Sequence, residues 1–164
     1  MNSEYTLRPA QPADAAFMLA VYASTRADEM ALVDWSSEQK LAFVQMQFNA
    51  QTQHYARYYP EAAYFVILRG QAAAGRLIVF NGREHILIMD IALLPEFRGA
   101  GIGSAILRDW MAEARRAGMP LRLHVETFNP ALRLYDRLGF KKIGESGVYY
   151  EMEWIPQEEQ TNDR

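Results

Sequence analysis

Between residues 86 and 104 the sequence gathers residues whose types and spacing could do chemistry. Glycines stand at alternate positions, Gly99-Ala100-Gly101-Ile102-Gly103, directly after Arg98 and before Ser104. An apolar run precedes them, and an amphipathic stretch with Ile102, Ile106, Trp110 and Ala114 at helical spacing follows. Glycines at a strand-to-helix turn let the backbone approach a ligand and point its N–H groups outward. A helix N-terminus adds the positive end of its dipole, so the stretch fits an anion cradle, most naturally for phosphate. The glycines alone fit a tight structural turn equally well. Two familiar phosphate loops do not fit. A P-loop needs Lys-Ser/Thr after its last glycine, and here Ile102-Gly103-Ser104 stands instead. The dinucleotide fingerprint needs Gly-x-Gly-x-x-Gly straight after a strand, whereas the spacing here is Gly-x-Gly-x-Gly after Pro95-Glu96-Phe97-Arg98. Glu126 does stand roughly where a ribose-binding acid would, which leaves that reading weakened.

A second chemical feature precedes the loop. Asp90 ends the apolar run Ile86-Leu87-Ile88-Met89, and a carboxylate there is costly to bury unless paired. It is either a salt-bridge or turn partner, or a base. Glu126 and His124 share one face of a later strand-like segment, with Val125 on the other. His85 opens the Asp90 run, and His54 falls on a helical surface. No spacing of His, Asp and Glu suggests a metal site, and the chain has no cysteine.

The pattern Ile91-Ala92-Leu93-Leu94-Pro95-Glu96-Phe97-Arg98-Gly99-Ala100-Gly101-Ile102-Gly103 resembles the acyl-CoA pyrophosphate loop of GNAT-type N-acetyltransferases. A second element, Asn129-Pro130-Ala131-Leu132-Arg133-Leu134-Tyr135-Asp136-Arg137-Leu138-Gly139-Phe140, is similar to the family's Asn-x-x-Ala-x-x-Leu-Tyr-x-x-Leu-Gly-Phe, with Asn129 one residue closer than the pattern. The resemblance covers about residues 64 to 154. It implies that Ile91, Ala92 and Leu93 hold the pantetheine arm like an added strand. It likewise implies that Arg98, Gly99, Ala100, Gly101, Ile102, Gly103 and Ser104 hold the pyrophosphate, and that Asn129 caps a helix, touches the arm, or does both. By the same resemblance Tyr135 lies beside the thioester and protonates or hydrogen-bonds the sulfur, while Asp90 faces the acceptor. Acetyl transfer needs the amine deprotonated, the carbonyl polarised and the leaving sulfur stabilised. An alkyl amine of pKa near 10.4 is only about 0.04% neutral at pH 7, so proton removal matters. The implied activity is acetyl-CoA-dependent transfer to a primary amine of a small molecule or peptide. A non-catalytic acyl-CoA-binding or interaction module on the same fold is the alternative. The segment from Arg26 to Trp35, with Asp28, Glu29 and Asp34, is the expected acceptor side, together with Tyr149 and Tyr150. It is either an acidic, aromatic pocket for a cation or an ordinary solvated loop.

These residues need elements to position them. A strand over Tyr5 to Arg8, a helix from Pro12 to about Ser24, and a longer helix capped near Ser36 and ended by Pro60 are expected first. Strands at 63–68, 75–80 and 85–93 follow, the last two joined through Asn81-Gly82. Next come the glycine loop, a helix to Ala117, a strand at 121–126, a short helix capped by Asn129, and strands at 141–145 and 148–154. The fold class is mixed α/β: one mostly antiparallel sheet with a parallel, splayed strand pair, flanked by helices.

At 164 residues, half of them hydrophobic, the chain suits one folded domain over residues 1–156, with a polar, disordered tail at 157–164. The net charge of −3 gives no general attraction to nucleic acid or anionic membranes. No stretch is long and apolar enough to span a bilayer and no signal sequence opens the chain, so a cytoplasmic location is expected. Analogy with the family admits a homodimer, though no residue specifies one.

Overall fold

The computed structural model describes residues 4–157; the tail expected from 157 onward lies, from residue 158, outside the described residues. Strand β1 (Thr6–Pro9) is followed by a 3-10 turn at Pro12–Asp14 and helices α1 (Ala15–Thr25), α2 (Ala27–Ala31) and α3 (Ser37–Tyr58). Strands β2 (Ala63–Arg69), β3 (Ala72–Asn81) and β4 (Ile86–Leu93) come next, then α4 (Ile102–Ala117), β5 (Leu121–Glu126), α5 (Leu132–Leu138), β6 (Lys141–Ser146) and β7 (Tyr149–Trp154). Together they build one seven-stranded sheet in the order β1-β2-β3-β4-β5-β7-β6. All neighbours are antiparallel except β4 and β5. The expected fold class is therefore the observed one.

Local chemistry explains most boundaries. Ser36 Oγ accepts from Gln39 N at 3.1 Å while Gln39 Oε1 accepts from Ser36 N at 3.0 Å, a reciprocal cap that starts α3. Gly118, at φ 66°, ends α4 in the left-handed conformation that glycine adopts freely. Three details differ from expectation. Helix α2 fills part of the segment after α1, which had no helix signature. The β3–β4 connection is Gly82–His85, with Gly82 N donating to His85 O at 3.0 Å, so His85 lies outside β4 and the turn is longer than two residues. Helix α5 starts at Leu132, with Ala131 as its N-cap. Asn129 lies two residues earlier and its Oδ1 accepts from Ala131 N at 2.9 Å, capping the entry turn rather than the helix.

The sheet buries both faces. One carries the larger core, with Leu77, Val79, Ile86, Ile88, Leu121, Leu123 and Val125 packed under Ile102, Ile106 and Leu107 of α4 and Tyr135 of α5. The other places Ile78, Leu87 and Met89 against Tyr55 of α3 and Tyr59 just after it. The register between β3 and β4 shifts at one point: Ile78 pairs with Asp90 but Val79 with Ile88. Met89 is thus an extra residue, a β-bulge, which breaks the alternation of faces and bends the strand. Beyond it Ile91 and Leu93 return to the face of the larger core. Asp90, opposite Ile78, stays on the α1–α3 face.

The parallel ladder between β4 and β5 covers only Ile86–Leu121, Leu87–Arg122 and Ile88–Leu123. Past Ile88 the two strands have no registered pairs, and they part. Gly75 keeps the far side of β4 closed: a Cβ there would meet Ala92 O at 2.1 Å and Leu93 Cα at 3.0 Å. Gly75→Ala should therefore push β4 off β3 and cost about 1–3 kcal/mol of stability. Gly103→Ala, at a helical site where a Cβ meets nothing within 4 Å, should be neutral or stabilising by up to about 1 kcal/mol. Denaturant unfolding of the two variants beside wild type checks both; equal stability for Gly75→Ala would show that β4 yields freely.

Candidate active site

The glycine loop grows directly out of the end of β4. After Leu93 the chain makes a 3-10 turn at Pro95–Phe97, runs extended through Arg98 and turns twice through left-handed glycines, Gly99 at φ 78° and Gly101 at φ 86°. An L-residue would be strained at either φ, roughly 1–2 kcal/mol each. Gly101 is the N-cap of α4, and its carbonyl accepts from Ala105 N at 3.0 Å. The N–H groups of Ile102, Gly103 and Ser104 precede the first intrahelical bond, so they have no acceptor within their own helix. Gly99, Ala100 and Gly101 are exposed, whereas Ile102 is buried and anchors the helix. The glycine loop leads into the N-terminus of a sixteen-residue helix.

Arg98 is committed locally. Its Nε donates to Leu93 O at 2.9 Å and an Nη donates to Ser24 Oγ at 3.4 Å. It staples the loop to the ends of β4 and α1. The Leu93 carbonyl is thereby engaged, while Ile91 and Ala92 lie on the part of β4 that has left β5.

Asp90 lies at the same opening. Its Oδ2 accepts from Arg76 Nε at 2.5 Å. Arg76 is 4% exposed, donates also to Gln51 Oε1 at 2.7 Å, and lies over the rings of Tyr22 and Phe48 at 5.5 and 5.8 Å. Both readings of Asp90 thus have support in its surroundings: it has a salt-bridge partner, and it keeps a side-chain exposure of 25%. Tyr55 reaches the bulge from α3, its hydroxyl donating to Met89 O at 3.4 Å. Burial, then the Asp90 charge, push the Tyr55 hydroxyl pKa up.

On the opposite strand Glu126 is held by Arg26, the C-cap residue of α1, at 3.0 Å. The same Arg26 Nη1 reaches Glu29 at 3.1 Å, and the guanidinium lies over Tyr22 at 5.2 Å. Tyr22, 4% exposed, therefore borders both guanidinium groups. Burial raises the Glu126 carboxyl pKa; Arg26 works against this, and Glu29 and Asp90 add to the rise. His124 is exposed on the same face, opposite Glu151 in β7. His85 precedes β4, about 16 Å along the strand from Asp90, too far to serve the same proton through one water. His54 is exposed on α3, its ring tilted against that of Tyr58 at 4.7 Å.

Tyr135 enters from the other face of the sheet. It is 6% exposed, with its ring edge-on to Phe140 at 6.1 Å. Helix α5 is closed behind it by Gly139 at φ 97°, and Phe140 N returns to Tyr135 O at 3.0 Å. Burial, and then the Asp90 carboxylate, push the Tyr135 hydroxyl up to about 12. It holds its proton throughout the neutral range and can serve there as a hydrogen-bond donor.

The aromatic residues on the expected acceptor side divide. Trp35 packs edge-on against Phe43 at 5.2 Å and remains 42% exposed. Tyr149 pairs with Glu126 and is exposed, but Tyr150 faces the larger core and lies under Lys142. Residues 149 and 150 cannot share a face, since a strand alternates. Sequence reasoning missed Arg76 altogether. Its signal was a lone cation in the apolar strand Ala74-Gly75-Arg76-Leu77-Ile78-Val79-Phe80, the counterpart of the lone acid in β4.

Comparison with known proteins agrees with this geometry. Residues 29–140 match the model of the acetyltransferase (GNAT) family. An acetyltransferase of Agrobacterium fabrum (strain C58) is 41% identical over 77 residues, 46% of this chain and 56% of that protein; the match thus spans just over half of its length. Among solved structures, the PaiA N-acetyltransferase of Thermoplasma acidophilum in complex with coenzyme A superposes with a TM-score of 0.70 at 16% identity, over 93% of this chain and 99% of that one. The spermidine N-acetyltransferase of Vibrio cholerae in complex with CoA and spermine gives 0.62 at 19% identity, over 94% and 96%. At such identities the two structures speak for the fold, while the family match covers most of the chain and includes both the glycine loop and Tyr135: the protein belongs to the acetyltransferase (GNAT) family.

Proposed function

We propose that the protein transfers an acetyl group from acetyl-CoA directly to a primary amine of a small molecule or peptide. The observation that carries this reading is the left-handed glycine loop opening into α4 beside the gap between β4 and β5. Exposed backbone at Gly99–Gly101 and the first N–H groups of α4 suit a pyrophosphate. The stretch of β4 at Ile91 and Ala92, paired with β3 but no longer with β5, suits an extended arm bearing amides. Family membership and the CoA named with two structural neighbours support the donor. The acceptor class rests on the acidic and aromatic groups at Glu29, Glu126, Asp90 and Tyr149.

In the reaction the amine nitrogen bonds to the thioester carbonyl carbon, the C–S bond breaks, and the amine loses a proton. Tyr135 serves the departing sulfur. A thiol has a pKa near 8.5, and the Tyr135 hydroxyl is near 12, so full proton transfer from Tyr135 to the thiolate would run uphill by roughly 5 kcal/mol. Tyr135 acts instead as a hydrogen-bond donor that stabilises charge as it develops on sulfur. Asp90 prepares the amine, by accepting its proton through water or by holding its charged form in place. No covalent enzyme intermediate is needed. Thiol release from acetyl-CoA with a panel of amines and peptides tests the function. CoA binding without release under any acceptor would favour a non-catalytic binding module.

Gly101→Val places a β-branched side chain at φ 86° in the loop. It should weaken CoA binding about tenfold or more while the domain stays folded, as read by calorimetry and circular dichroism. Unchanged affinity in a folded variant would move the pyrophosphate elsewhere.

Tyr135→Phe keeps the ring and removes the donor. Turnover should fall about 10- to 100-fold, as expected for a hydrogen bond to a charged group, with little change in KM for acetyl-CoA. The folded-state pKa lies above the usual value of 10, so the donor form is fully present below pH 10 and is lost only as pH rises through about 12. The ratio of wild-type to variant turnover should therefore stay constant from pH 6 to 10. Equal turnover with chemistry rate-limiting, or a ratio that falls within that window, would remove Tyr135 from this role.

A further inference from the structure

We infer that Arg76 is a positioning residue: it sets the Asp90 carboxylate toward the acceptor amine. This rests on the proposed reaction and specifies how one of its groups is held. Asp90 follows the bulge at Met89, where β4 bends and the ladder to β5 has ended. Pairing to β3 fixes the face that Asp90 occupies, but gives its carboxylate no fixed direction on that face. Arg76 supplies one. The guanidinium approaches from the adjacent strand, its Nε on Asp90 Oδ2 at 2.5 Å and an Nη on Gln51 Oε1 at 2.7 Å. The fork is thus fixed at both ends. Its orientation is set by two rings, Tyr22 of α1 and Phe48 of α3. The side chain of Arg76 is 5% exposed while that of Asp90 is 25% exposed. The cation is therefore sealed behind the anion, and only the carboxylate faces outward.

The other groups around Asp90 cannot replace this support. The Tyr55 hydroxyl donates to Met89 O, and Glu126 carries a like charge. Arg26, the other guanidinium beside Tyr22, is committed to Glu126 and Glu29. Buried ion pairs are costly to break from one side because the remaining charge is uncompensated. A buried arginine with one carboxylate and one amide partner is also more than packing requires at a position where neighbouring β3 residues are aliphatic. Arg is suited to the task because its planar fork holds two acceptors at once, which a lysine cannot match.

The test compares wild type with Arg76→Gln, Arg76→Lys, Asp90→Asn and the double variant Arg76→Gln/Asp90→Asn, using an amine identified by the thiol-release panel. Arg76→Gln should raise KM for the amine and lower kcat/KM for it by about 10- to 100-fold. CoA affinity by calorimetry should stay within about twofold. Arg76→Lys should recover part of the loss. The double variant should be little worse than Asp90→Asn alone, since the two residues act as one unit. If Arg76→Gln does not fold, Gln51→Leu replaces it: freeing one arm of the fork should give a smaller loss confined to the amine. A folded variant with unchanged amine kinetics overturns the inference, as do losses that multiply in the double variant. Wild type that transfers acetyl to no amine overturns the functional reading itself, whereas an active wild type with an indifferent Arg76 overturns only the positioning role.

Discussion

The divergence of two parallel strands is the constraint on which the rest of this molecule depends. Strands β4 and β5 share three registered pairs and then separate. Parallel strands cannot be joined by a tight turn, so α4 must cross over between them. The crossover begins where β4 ends, which brings the glycine loop to the mouth of the gap. The bulge at Met89 turns β4 at the point where pairing is lost. One side of the gap is then strand edge and one is helix N-terminus, while Tyr135 of α5 is buried in the core packed under α4. Main-chain groups at such an edge need partners, and the geometry invites an extended ligand to supply them.

Charge at this opening is managed by pairing. Asp90 and Glu126 lie on the two diverging strands, and each is met by an arginine from behind. Both arginines are almost fully buried, and both border the ring of Tyr22. Arg26 serves two carboxylates, Glu29 and Glu126, so negative charge is in excess on the β5 side. The upward shift at Glu126, led by burial and aided by Glu29 and Asp90, reflects that excess. A cationic acceptor would relieve it. Below the gap, the same carboxylate at Asp90 and the same burial keep the Tyr135 proton in place. The protonated hydroxyl of Tyr135 thus lies in the core, and the carboxylates of Asp90 and Glu126 lie nearer the rim.

Several features were legible in the sequence because they are local. The glycine spacing, the cap at Ser36, Gly118 after α4 and the order of strands and helices follow from short-range propensity and periodicity. The alternation His124–Val125–Glu126 put the acid on the face opposite Val125, and Val125 is the one in the larger core. The two family motifs named the loop and Tyr135 because each spans fewer than fifteen residues of continuous chain.

What the tertiary structure decided was long-range. The bulge at Met89 has no composition signal, yet it determines which face Asp90 occupies. The partner of Asp90 comes from β3, fourteen residues earlier, and that of Glu126 from the end of α1. Arg98 carries a charge suited to phosphate, and the fold decides that its guanidinium also donates to Leu93 O and Ser24 Oγ. Tyr150 was assigned to the acceptor side by composition, and the register of β7 against β5 turned it toward the core. Insertion of β7 between β5 and β6 likewise depends on pairing over distance. Sequence determined which groups with chemical capacity are present and the elements that bear them. Direction, pairing and charge compensation were left to the fold, because each depends on register and on contacts between residues far apart in the chain.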